Sequence, residues 1–146
     1  MTTLSLLPLI ETVMQTSMLI MTGLYFVFSN TIMKSLIQHE NGADVMVTIN
    51  IVILNPLFMS LFIVSGLSAF YFVAFSNGAI RISGIVFFVG TTLVTIMKNV
   101  PLNNQLRDSI ASSTRDETWQ VYLSKWVFWN HIRSLSAITS GFLMVL

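Results

Sequence analysis

The chain contains no cysteine. That excludes disulfides, thiolate metal sites and a CxxC redox mechanism, and it leaves the redox compartment open. Charge is also scarce. Only 9% of the 146 residues are Asp, Glu, Lys or Arg, against about 25% in ordinary soluble domains. The net charge is +1 without clustered Lys or Arg, which excludes a nucleic-acid footprint. No HExxH pair, Walker loop, dinucleotide-binding glycine pattern or nucleophile motif is present. The two histidines, His39 and His131, fall on the same side of the chain's topology. A mixed site of both with a carboxylate is geometrically open, but nothing favours it. The expectation is no metal and no cofactor. The N-terminus lacks the basic region of a cleavable leader, and its apolar stretch is too long for one, so it reads as a retained membrane helix.

Apolar residues are abundant: 54% of the chain is hydrophobic and the mean hydropathy is +0.79. A soluble fold of this length must keep a wetted exterior and has nowhere to hide so much apolar surface. Four apolar segments stand out, at about residues 4–28, 56–75, 80–97 and 126–146. A span needs about 20 residues to cross a ~30 Å hydrocarbon core. The expected fold is therefore an all-α, integral membrane four-helix bundle, formed as a single domain over residues 1–146.

Local signals mark the ends. Asn55-Pro56 reads as an N-cap followed by proline at the first helical position. Ser76-Asn77-Gly78 reads as a tight turn, pairing the second and third helices as a hairpin. Asn99-Val100-Pro101 reads as the end of the third helix, because a residue before proline disfavours the helical region. The segment 43–54 reads as a short helix leading into the second span. Trp119, Tyr122 and Trp126 recur at helical spacing, which also suits an interfacial aromatic belt.

With four spans, the connections 29–54 and 98–125 share one side. They carry five basic residues, Lys34, Lys98, Arg107, Arg115 and Lys125, against Arg81 alone on the opposite side. The positive-inside rule then predicts both connections in the cytoplasm and both termini on the other side.

The unusual polar residues gather at that same face. Ser29 and Asn30 end the first span, and Asn50 and Asn55 precede the second. Asn99, Asn103 and Asn104 follow the third, and Asn130, His131 and Arg133 open the fourth. Arg133 is the most informative. It lies seven residues beyond Trp126, roughly 10 Å along a helix, and an ionisable residue inside a membrane span usually marks function. Snorkelling to the interface is the competing reading. Trp126, Asn130 and Arg133 share one helical face, which Ala137 and then Ser140 or Gly141 continue with small residues, as a helix contact does. The asparagines suit helix capping as well as ligand binding. Glu11 sits some 18 residues before Ser29, near the other membrane face.

Several short strings occur in a fixed order. They are Phe28-Ser29 with Met33, Ile49-Asn50 with Asn55-Pro56, Asn99-Val100-Pro101-Leu102-Asn103, and Trp126 followed by Trp129-Asn130-His131 and Arg133. In this the chain resembles the anthrone oxygenase-like family of small four-helix membrane proteins, many of unknown function. The resemblance covers nearly the whole chain and implies an all-α bundle. Some fungal relatives oxidise anthrones to anthraquinones with dioxygen and no dedicated cofactor.

On that footing Trp126 or Trp129 would stack on a lipophilic aromatic substrate. Arg133 with Asn130 would stabilise a developing phenolate or enolate. Asn99 and Asn103 would orient it, Asn50 and Ser29 would complete the binding surface, and His131 would be the general base. A non-catalytic alternative stays open: an accessory subunit of a larger membrane complex, or a lipid or quinone holder. Partners expected on either reading are membrane lipids, a lipophilic small molecule, and a membrane-protein partner or a second copy. A transporter is a weaker third reading, because there is no inverted repeat.

Overall fold

The computed structural model describes residues 6–146; the expected start of the first helix at residues 4–5 lies outside the described residues. Among the described residues there is no strand. Five continuous helical runs fold into an all-α membrane bundle. The first is α1 (Leu7–Val27), a π-helical turn π1 (Phe28–Ile32) and α2 (Met33–Ile37). Then come α3 (Gly42–Val52) and α4 (Pro56–Phe75). The fourth run is α5 (Gly78–Phe87), two further π turns, π2 (Phe88–Leu93) and π3 (Thr95–Asn99), and α6 (Val100–Ser109). The last is α7 (Arg115–Met144).

Three runs are long and apolar enough to cross a membrane: Pro8–Ile37, Pro56–Phe75 and Gly78–Ser109. Their outward faces carry large apolar side chains such as Leu19, Ile63, Leu67, Phe70, Ile82 and Val89. A water-soluble monomer rarely leaves so wide an apolar surface bare. The long helix α7 falls outside that class, because Asn130, His131 and Arg133 interrupt its apolar half.

Three helix boundaries differ from the sequence expectation, one of them the start of the last helix, at Arg115 and not at about 126. The first helix does not stop near Phe28 but runs to Ile37, and the expected stop is the π turn itself. The third does not stop at Asn99-Val100-Pro101 but runs to Ser109. Val100 is helical at φ −62°, ψ −46°, and its N–H donates to the Thr95 carbonyl five residues back. Proline lacks an N–H and its ring crowds the carbonyl four residues earlier. A wide π turn just before it moves that carbonyl aside, so the helix continues where an ordinary α-turn would break.

Other signals match their structure. Asn55 caps α4: its Oδ1 accepts the Phe58 N–H at 3.0 Å. Gly78 adopts φ +58° at the α4–α5 turn, a left-handed conformation that costs little without a Cβ. The hairpin closes tightly. A Cβ on Gly84 would lie 2.7 Å from the Ala69 carbonyl oxygen and 2.8 Å from Phe72 Cβ.

The core has two parts. One joins α1 to α4, α5 and α7 through Met18, Met21, Tyr25, Phe72, Phe87 and Ala137. The other gathers α2, α3, α6 and the first half of α7 around Met33, Met46, Leu106, Tyr122 and Trp126. The segments 29–54 and 98–125 are thus packed together at one end of the bundle. Asp44 on α3 and Arg115 at the start of α7 form an ion pair across them.

Candidate active site

Between the two core regions lies a cavity of about 180 Å³. Its walls come from α1 (Leu24, Tyr25, Phe28), α3 (Met46, Asn50), α4 (Phe58), π3 (Thr95, Asn99), α6 (Asn103) and α7 (Trp126, Arg133). Ile51, Leu54, Val100, Asn104 and Arg107 also line it and are solvent- or lipid-exposed, so the mouth lies between α3 and α6. The lining is mainly apolar with a few convergent polar groups, the usual make-up of a small-molecule site.

Arg133 enters from α7 and is only 6% exposed. It does not snorkel. One terminal nitrogen donates to Thr95 Oγ1 at 3.1 Å and the other to Asn130 Oδ1 at 2.5 Å. The guanidinium carbon lies 4.6 Å from the Tyr25 ring centre and 5.3 Å from the Trp126 ring centre. Cation–π contact of this kind contributes ~2 kcal/mol where water is excluded. No carboxylate answers the charge. Among the described residues the ion pairs are Arg107–Asp108 and Asp44–Arg115. A buried ion costs several kcal/mol, and here neutral oxygens and ring faces are the only compensation.

Asn130 is fully buried and holds Arg133 in place without lining the cavity. While its Oδ1 accepts from Arg133, its Nδ2 donates to Ser29 Oγ at 2.6 Å and to the Tyr25 carbonyl at 3.3 Å. Ser29 Oγ and Ser134 Oγ share a hydrogen bond at 2.7 Å, and Ser134 donates on to the Asn130 carbonyl at 2.9 Å. This ring ties π1 to α7. The amide's orientation is fixed, because its two ends face opposite demands: a cation on one side, a carbonyl on the other.

Among the described residues, four buried side-chain atoms have no hydrogen-bond partner: Asn50 Nδ2, Asn99 Oδ1, Trp126 Nε1 and Arg133 Nε. All four belong to residues of the cavity wall. Each such atom costs ~1–3 kcal/mol if left unsatisfied. A wall with three spare donors and one spare acceptor can make hydrogen bonds to a ligand or to ordered water. Asn99 donates to the Trp126 carbonyl at 3.4 Å, which turns its Oδ1 away from that carbonyl. Asn103 Oδ1 accepts the Tyr122 hydroxyl at 2.9 Å.

The candidates chosen from sequence therefore divide. Arg133, Trp126, Asn99, Asn103 and Asn50 share the cavity wall, and Ser29 and Asn130 stand directly behind it. Trp129 does not line the cavity. It packs edge-on against Phe128, and Lys98 Nζ lies 5.2 Å from its ring centre. His131 is exposed on the outer face of α7 and is not among the lining residues. Its neighbours Asn130 and Arg133 point inward, and a residue one step from Asn130 is turned ~100° away. Tyr25 and Thr95 were not anticipated. Tyr25 precedes Ser29 by four residues and Thr95 precedes Asn99 by four, so helical spacing from the polar residues already in view was the available signal.

The fold and site define a small membrane bundle with an apolar cavity closed at its inner end by an uncompensated arginine. The family model for anthrone oxygenase matches residues 50–143, and the chain belongs to that family. The matched region includes Asn50, Asn99, Asn103, Trp126 and Arg133, hence most of the cavity's polar wall, whereas Tyr25 and Ser29 lie before it. No curated protein and no solved structure matches the chain.

Proposed function

We propose that the protein oxidises a lipophilic, anthrone-like aromatic with dioxygen and without a dedicated cofactor. The observation that carries this reading is the buried Arg133 guanidinium, which has no anionic partner and faces an apolar cavity where its Nε and three other polar atoms are unpartnered. Family membership supports the substrate class.

The chemistry needs little from the protein. Loss of a proton from the methylene opposite the ketone leaves a delocalised anion whose charge rests largely on the oxygen. That anion passes one electron to dioxygen. The resulting radical and superoxide combine at the former methylene carbon as a peroxide anion, which takes up a proton equivalent to the one first lost and becomes a hydroperoxide. Loss of the remaining hydrogen and cleavage of the O–O bond release water and form the second quinone carbonyl. Arg133, Trp126 Nε1 and Asn50 Nδ2 would stabilise the oxygen-centred charge, as donors fixed in advance in a water-poor site do. Tyr25 and Trp126 would flank the ring. Asn130, Thr95 and Ser29 act as positioning residues. His131 has no part in this scheme.

The proposed topology has α7 as a fourth span, with its polar residues turned inward. It puts segments 29–54 and 98–125 on the cytoplasmic side and both termini opposite. The outer faces would be covered by lipid, or in part by a membrane partner or a second copy. A binding protein without catalysis is the second reading, favoured by the lack of any carboxylate or imidazole among the lining residues.

The test is dioxygen-dependent conversion of anthrone by the purified protein in detergent, against Arg133→Ala and a protein-free blank. Conversion above the blank and lost in Arg133→Ala supports the oxygenase. Equal rates in all three remove it and leave the binding reading.

A further inference from the structure

We infer that the cavity takes its ligand as an oxyanion: a lipophilic phenol or enol, bound deprotonated and without a protein base. This rests on the proposed function only in taking the cavity as the ligand site.

The charges around the cavity carry the argument. From α1 the only titratable side chain on the wall is Tyr25; from α6 it is Arg107, at the mouth; from α7 it is Arg133, with Tyr122 adjoining. The α3 and α4 walls contribute none. Arg107 is already paired with Asp108 at 2.9 Å. Arg133 therefore leaves one uncompensated positive charge inside, with its hydrogen bonds made to neutral oxygens. An opposite charge close by favours the ionised form of an acid, typically by one to three pKa units (about tenfold to a thousandfold).

The unpartnered atoms point the same way. Arg133 Nε, Trp126 Nε1 and Asn50 Nδ2 are donors, and Asn99 Oδ1 is the lone acceptor. An oxyanion accepts from several donors at once. A neutral hydroxyl would spend its proton on Asn99 and leave the cation without a counter-charge. In the binding step the ligand's O–H bond breaks heterolytically. The electron pair stays on oxygen, and the proton leaves to water at the mouth between α3 and α6. The ligand class is thus narrower than an apolar aromatic. It must carry an acidic phenol or enol hydroxyl at one end of an otherwise lipophilic ring system.

4-Nitrophenol tests this, because it is yellow only as the phenolate and does not react with dioxygen. It would be titrated from acid to alkaline pH with excess protein in detergent, against empty micelles, Arg133→Gln and Asn50→Asp. The first variant removes the cation while keeping an amide. The second is isosteric, keeps Arg133 and supplies the wall with its own carboxylate. The expected result is a phenol that ionises at least one pH unit lower on the wild type than on either variant, about tenfold in the ionisation ratio. A curve equal to that of empty micelles overturns the inference. So does a wild-type curve equal to that of Asn50→Asp, which stands even should Arg133→Gln fail to fold. Anthrone turnover without the shift would keep the oxygenase and end this inference. The shift without turnover would leave an anion-binding membrane protein.

Discussion

Gly90 on π2 meets Ser136 on α7 at a distance that leaves no space for a methyl group. A Cβ there would lie 2.1 Å from Ser136 Oγ and 2.4 Å from Ser136 Cβ. The hydroxyl can rotate away, but the Cβ cannot. Carbon atoms pack at ~3.5–4.0 Å, so Gly90→Ala must push α7 outward by on the order of 1 Å. Overpacking of this kind costs ~1–3 kcal/mol. Arg133 lies three residues before Ser136, roughly 4.5 Å along the axis, and its bond to Thr95 on the neighbouring π turn is 3.1 Å long. The same displacement therefore loosens the site. Thermal unfolding in micelles, followed by circular dichroism, should show the destabilisation, and anthrone conversion should fall with it. Ser136→Gly removes both clashing atoms and by itself costs ~0.5 kcal/mol, the propensity difference between serine and glycine in a helix. The double variant should recover stability relative to Gly90→Ala alone, with a coupling of ~0.5–3 kcal/mol between the two sites. Wild-type unfolding of Gly90→Ala, or simple additivity in the double variant, would refute the reasoning.

Asn130→Asp gives Arg133 an internal counter-ion in place of an amide oxygen. Conversion should drop by ~10²-fold or more, as when one oxyanion donor is removed, while circular dichroism keeps the helical signal; undiminished turnover would show that the uncompensated charge is irrelevant. Trp126→Phe keeps a ring beside Arg133 and Tyr122 but deletes the spare Nε1 donor. Stability should hold or rise slightly, and ligand affinity should weaken by ~0.5–1.5 kcal/mol, measured as a several-fold rise in Kd or KM. Asp44→Ala breaks the Asp44–Arg115 pair, whose side chains are 43% and 32% exposed. Its unfolding midpoint should show a loss below ~1 kcal/mol, and a larger loss would mean that the pair anchors α3.

Much of the architecture was legible because a bilayer sets simple rules. Four long apolar runs suggested four spans, of which three are long and apolar enough to cross a membrane, and Asn55-Pro56 and Asn77-Gly78 marked the turns by local chemistry alone. The face shared by Trp126, Asn130 and Arg133 followed from helical spacing within an uninterrupted helix. One difference came where the helix is not regular. The pre-proline rule assumes α-geometry, and π3 evades it by shifting one hydrogen bond, so a helix end was expected where the chain continues. His131 was drawn in by its proximity in sequence to Asn130, although adjacent residues on a helix face different ways. Tyr25 stayed hidden because an aromatic in an apolar span looks like core. Its role depends on Arg133, 108 positions later in the chain, a contact that no local pattern encodes.

The three wide turns also set the unit in which this site can be altered. Each holds one residue more than an α-turn would, so deleting a single residue from π3 would restore an ordinary α-turn while leaving the helix beyond it facing as before. The ring of Pro101 would then crowd the carbonyl four residues earlier, and the turn that carries Thr95 and Asn99, the latter now 1% exposed, would have to be rebuilt. A change that spares the rest of the cavity wall would thus disturb both residues that π3 supplies to it. Relatives whose ligands differ in polarity are therefore best compared by the length of these turns as well as by the residues they carry.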